Sequence, residues 1–90
     1  SAVEQEPPKI EFPCNYLVKI LGDALPEFRD QVIGIVEQHA RIPDANSIVV
    51  RPSSKGTFVS VNVVIWATGA EQLHQLHMAL KEYKAVKMVM

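Results

Sequence analysis

The sequence predicts an α+β domain: four antiparallel strands in one sheet, with two helices covering one face of it. Three observations predict this. First, YLVKIL (16–21) and TFVSVNVVIWA (57–67) are rich in β-branched and aromatic residues. Second, residues 25–39 and 73–83 repeat apolar side chains every three or four positions, the period of a helix with one buried face. Third, PSSKG (52–56) sits between two apolar runs and carries the glycine that a tight corner uses. Read in order, the elements run β-α-β-β-α-β. Two right-handed crossovers of this spacing favour the ferredoxin-like arrangement, with the first and third strands central.

Residues 1–10, SAVEQEPPKI, are mostly polar and contain two prolines, so a flexible tail is expected, with 11–90 as a single domain. In the first strand Tyr16, Val18 and Ile20 alternate with Leu17, Lys19 and Leu21, and Gly22-Asp23 ends it. Asp23 is positioned to cap the next helix, and Pro26 fits a first helical turn, where its missing N–H leaves no bond unmade. Leu25, Phe28, Val32, Ile35, Val36 and His39 form the apolar stripe of that helix, with Glu27, Asp30, Glu37 and Gln38 opposite. The helix stops before Pro43, and RIPDAN reads as a loop.

NSIVVR (46–51) is the second strand, and PSSKG turns it into the third, with Gly56 at the positive-φ position. Thr68 and Glu71 have capping-box spacing ahead of a second helix whose stripe is Leu73, Leu76, His77, Leu80 and Tyr83. Val86, Met88 and Met90 alternate with Lys87 and Val89 in a last strand.

Composition narrows the function classes. The chain has 90 residues, 48% of them hydrophobic, enough for a small core. The net charge of −1 supplies no field for a polyanion or an acidic membrane. No apolar run approaches the roughly 18 residues of a membrane span. The single cysteine, Cys14, cannot pair internally, which fits a reducing cytoplasm. It has no evident cationic neighbour to make it reactive.

With both helices on one side, the other side of the sheet is bare. Period two puts Val59, Val61, Val63 and Ile65 toward the helices. Phe58, Ser60, Asn62, Val64 and Trp66 then lie on the open side with Leu17, Lys19 and Leu21, and with Val49, Arg51, Lys87 and Val89 from the edges. An apolar patch of this kind marks an interface or ligand surface, although scattered apolar residues on an open sheet are also ordinary.

The chemical motifs are weaker. His74 and His77 have the one-turn spacing of a metal pair but lack the remaining ligands, and His39 and His77 fall toward the core, so no metal site is expected. Ser53, Ser54 and Lys55 lack the elbow of a serine nucleophile, and SSKG opens a strand where a phosphate loop opens a helix. The corner has hydroxyls, one ammonium and turn N–H groups that suit a carboxylate or phosphate. RNA-recognition modules share this element order, but Lys55-Gly56-Thr57-Phe58-Val59-Ser60-Val61 is one residue short of their strand-three motif and lacks one stacking aromatic. Nucleic acid is therefore only the alternative partner for the open face.

Glu11-Phe12-Pro13, Leu25-Pro26, Pro52-Ser53-Ser54-Lys55-Gly56 with Ser60-Val61, and the closing Val86-Lys87-Met88-Val89 resemble the YbeD-like family of small bacterial proteins. The resemblance covers 11–90. It implies a ferredoxin-like fold close to the regulatory ACT domain, which binds small ligands and dimerises, and a cytoplasmic protein. It carries a hint of lipoate-related metabolism and no catalytic residues. The expectation is a regulatory or interaction module, not an enzyme, without cofactor, acting as a homodimer and taking a protein partner or small metabolite. Phe58, Val64, Trp66 and Leu17 would meet the partner, and Ser53, Ser54, Lys55 and Gly56 would supply the polar contact.

Overall fold

The computed structural model describes residues 11–90. The expected tail, residues 1–10, lies outside the described residues. The elements are β1 (Cys14–Asp23), α1 (Phe28–His39), β2 (Val49–Pro52), β3 (Phe58–Ala67), α2 (Ala70–Glu82) and β4 (Val86–Val89), with a short 3₁₀ turn at Ala45–Ser47. The sheet order is β2-β3-β1-β4 and every pairing is antiparallel, so the two ten-residue strands are central as expected.

The core forms where the helix stripes meet the covered side of these strands. Val18 and Ile20 of β1, with Val61, Val63 and Ile65 of β3, are fully buried, as are Val32 and Val36 of α1 and Leu76 and Leu80 of α2. Each such side chain contributes roughly 1.5–3 kcal/mol through removal from water. Phe28 stacks against Tyr83 with ring centroids 6.0 Å apart, joining the start of α1 to the end of α2.

Gly22 lies within β1 and is buried, with the Phe28 ring and the Ala85 carbonyl pressed against the space where a Cβ would stand. The β1–β4 register shifts beside it, between Leu21 and Gly22. A glycine here lets backbone and aromatic ring approach closely, the usual reason for glycine inside a strand. It continues the strand that it was expected to end.

Four other local expectations are corrected. Asp23 does not cap α1: it is the last residue of β1, paired with Phe58, and α1 starts after Glu27 without a side-chain cap. Starting at Phe28 leaves Leu25 exposed in the preceding turn, while Ile33 joins the core and Ile35 packs at its rim. The second strand begins at Val49, because residues 45–47 form the 3₁₀ turn and the Asp44 carboxylate accepts from the Asn46 N–H at 2.9 Å. Thr68 and Glu71 form no capping box, since the residue ahead of α2 is Gly69. Instead the Thr68 N–H donates to Gln72 Oε1 at 2.8 Å. The same Gln72 amide donates from Nε2 to the carbonyls of His39 (3.0 Å) and Trp66 (3.4 Å). One side chain thus ties the end of α1, the end of β3 and the start of α2.

The last correction concerns β4. Met88 pairs with Leu21, and Met90 exchanges both backbone hydrogen bonds with Lys19, so the two methionines lie on the open side. Val86 and Val89 pack against the core instead. The shift beside Gly22 changes which residues of the edge strand face outward, and simple alternation cannot anticipate it.

Candidate functional site

The open side is built from cross-strand rows set by the register. Val49, Asn62 and Lys19 form one row, and Arg51, Ser60 and Leu21 form the next. Leu17 stands opposite Val64, Asn15 opposite Trp66, and Asp23 opposite Phe58. Leu17 (58% exposed), Met90 (54%) and Met88 (48%) are the most open large apolar side chains of this face, and Val49 and Phe58 are also exposed. Val64 and Trp66 are half-buried. At the Trp66 end the chain folds back and Arg41 bridges to β3, with the Trp66 N–H donating to the Arg41 carbonyl at 2.8 Å.

An open hollow of about 240 Å³ lies on this face across β2, β3 and β1. Its lining is Leu17, Lys19, Val49, Arg51, Ser60 and Asn62. Two cations, a hydroxyl and an amide therefore share one depression with two apolar walls. Among the described residues, neither Lys19 nor Arg51 has a carboxylate within ion-pair distance. Asp23, the carboxylate that β1 sets on this side, lies a row beyond Leu21 and pairs with Lys87 at 3.5 Å.

The residues singled out in the sequence divide into three groups. Ser53 closes the hairpin: its N–H donates to the Phe58 carbonyl at 2.8 Å and its Oγ accepts from the Phe58 N–H at 3.1 Å. Ser54 and Lys55 are exposed at the tip, and Gly56 takes φ 71° there, the left-handed conformation that glycine adopts without strain. Phe58 sits at the hairpin end of the open face, with Val64 and Trp66 toward the opposite end. None of these seven lines the hollow, whereas Leu17, also expected to meet the partner, does. The residues that do were each placed on the open face by alternation, but their convergence was missed. Counting register back from the PSSKG corner would have put Asn62 beside Val49 and Ser60 beside Arg51.

The histidines lie away from this face. His74 is exposed, and His39 and His77 are partly buried. His77 Nε2 is buried with no hydrogen-bond partner, and burial, then the nearby charges of Lys81 and His74, hold its imidazole below the ordinary histidine value. Among the described residues no three His, Cys, Asp or Glu side chains group as metal ligands. No helix among them is long and apolar enough to cross a membrane.

Comparison with known proteins places this geometry. Residues 7–90 match the family model described as "Protein of unknown function (DUF493)". Over 86 residues the chain is 49% identical to a UPF0250 protein of Pseudomonas paraeruginosa, covering 94% of this chain and 92% of the relative. A UPF0250 protein of Hahella chejuensis is 41% identical over 87 residues, covering 97% and 96%. Among solved structures, protein HP0495 from H. pylori superposes with a TM-score of 0.72 at 13% identity, covering 97% of this chain and 91% of that one. The ACT domain from the GTP pyrophosphokinase of Chlorobium tepidum gives 0.66 at 19% identity, covering 86% and 97%. These likenesses show the fold.

Proposed function

Since the chain belongs to the DUF493 family of UPF0250 proteins and has their YbeD-like, ACT-like fold, we propose that it is a non-catalytic interaction module that works through its open sheet face. Its partner is a protein segment that presents carboxylates among apolar side chains. One observation carries the reading: Lys19 on a central strand and Arg51 on the edge strand β2 share one hollow on a face that also carries Leu17, Val49, Val64, Met88 and Met90. Apolar contact there supplies binding free energy, and the two cations select the charge of what binds. Occupancy of such a face is a means of regulation that needs no chemical step, in keeping with the ACT-like fold.

A second copy is the competing occupant. Two open faces meeting across a two-fold axis through the hollow would set Lys19 and Arg51 against their own copies, a like-charge contact that costs free energy. An acidic segment removes that conflict. RNA is disfavoured by the net charge of −1.

The reading is tested by titrating isotope-labelled protein with synthetic peptides that alternate Glu with Leu or Val. Amide shifts confined to residues 17–21, 49–51, 60–66 and 88–90 are expected, lost when Gln replaces Glu. Leu17→Ser and Lys19→Glu should both weaken binding. Shifts mapping to α1 and α2, indifference to the Glu-to-Gln change, or sedimentation as a dimer that Leu17→Ser dissociates would each overturn the proposal.

A further inference from the structure

The hollow has a chemistry of its own. Lys19 and Arg51 come from strands separated only by β3 and lie in neighbouring rows, so their backbones stand on the order of 12 Å apart along a diagonal, and both side chains line the same depression. Ser60 and Asn62, on the strand between them, bring a hydroxyl and an amide to its floor. The Ser60 hydroxyl makes only a long bond to the Arg51 carbonyl, at 3.5 Å. The Asn62 amide has no side-chain bond among those formed by the described residues.

From this arrangement we infer that the hollow is a seat for a small oxyanion, a carboxylate or a phosphate group. The inference deepens the interaction reading and rests on the open face being the working surface. A guanidinium offers a planar fork of donors that matches two oxygens at once, and an ammonium adds a point charge. The hydroxyl and amide are neutral donors that add hydrogen bonds without adding to the like-charge repulsion between the two cations. Leu17 and Val49 wall the depression with apolar surface, which excludes part of the water that would screen the charges.

Size limits the ligand. Pockets for drug-sized molecules span roughly 300–1,000 Å³. At about 240 Å³ and open to solvent, this hollow accepts an oxyanion head group and leaves any larger body outside. The head group therefore arrives in one of two ways, as a free small anion or as the acidic side chain of the partner segment. In both cases it lies between Lys19 and Arg51 and neutralises the charge of the hollow.

The test uses the whole chain and three probes at constant ionic strength: inorganic phosphate, malonate and chloride. Phosphate and malonate are expected to produce saturable amide shifts at 19, 51, 60 and 62 at millimolar concentration, while chloride does not. Arg51→Gln and Lys19→Gln should each weaken both anions by about tenfold, the loss of one charge-assisted hydrogen bond. Asn62→Asp should abolish uptake by placing a carboxylate in the seat. All three positions are at least partly exposed, so circular dichroism should show folded variants.

Met88→Ser separates the two proposals, because Met88 is exposed on the open face but does not line the hollow, so its loss should weaken the acidic peptide while leaving phosphate binding nearly intact. Peptide binding without phosphate or malonate binding would assign the head group to the partner and overturn uptake of a free anion. Anion binding without peptide binding would keep the seat and overturn the partner. Equal shifts with chloride, or shifts indifferent to Arg51→Gln, would remove the seat altogether.

Discussion

The two sides of β3 are made by one ten-residue strand and have little else in common. On the covered side Val61, Val63 and Ile65 are fully buried against the helices. On the open side Ser60, Asn62, Val64 and Trp66 remain partly accessible. The covered side is uniform because every position there has the same task, to leave water. The open side mixes a hydroxyl, an amide and apolar groups, and its neighbours add Lys19 and Arg51. A face destined for a permanent apolar contact would not carry two unpaired cations in one hollow, since burying them without partners costs several kcal/mol. A face kept only for water would have less reason to hold Leu17, Met88 and Met90 so exposed together. The combination suits a contact that forms and dissolves.

The covered side breaks first where backbone and ring touch. In Gly22→Ala the new methyl group meets the Phe28 ring and the Ala85 carbonyl, and the carbonyl cannot rotate away. The variant should lose about 3 kcal/mol or more, read as a lower urea midpoint or as failure to fold. A midpoint near that of the parent protein would mean that β4 and α1 shift freely, and the covered side would not be tightly packed. The next test sets two adjacent residues of β3 side by side. Val63→Ala should cost about 2 kcal/mol, from two buried methyl groups and the space they leave. Val64→Ala, one residue on and on the other side, should cost about half as much, about 1 kcal/mol, from partial burial and the weaker strand preference of alanine. Equal losses would show that the open side is as packed as the covered one, and the comparison would collapse.

How much of this was legible in the sequence depends on how far each feature reaches along the chain. Period two is local, so Val61, Val63 and Ile65 could be assigned to the helices from their spacing alone, and the strand order followed from the order of elements. The positive φ of Gly56 was legible for the same reason, because a glycine between two apolar runs has few other uses. The outward face of β4 was not legible. It depends on the register shift beside Gly22, where a distant ring and carbonyl decide the local geometry. The hollow was legible only in part. Alternation placed Lys19, Arg51, Ser60 and Asn62 on the open side, but their meeting depends on the registers of two strand pairs at once. Ser53, Ser54 and Lys55 stand out in the sequence because they adjoin, but adjacency in sequence is a poor guide across a sheet. The caps failed differently. Asp23 and Thr68 have the right chemistry, but the strand claims Asp23 and Gln72 supplies what the Thr68–Glu71 pair was expected to supply.

That last exchange gives the smallest effect and the sharpest test of how the covered layer is tied together. Thr68 is exposed and its hydroxyl caps nothing, because α2 begins after Gly69. Thr68→Ala should therefore change stability by less than about 0.5 kcal/mol, where a capping threonine would cost about 1 kcal/mol. Gln72→Ala should cost about 1 kcal/mol, because the Thr68 N–H loses its acceptor and the His39 and Trp66 carbonyls lose a donor. Gln72→Glu separates the two roles. A carboxylate still accepts from Thr68 but cannot donate to either carbonyl. If Gln72→Glu is as stable as the parent protein, the amide serves only the start of α2. If it loses as much as Gln72→Ala, the bond that matters is the one that holds α1 to α2 at the end of the sheet.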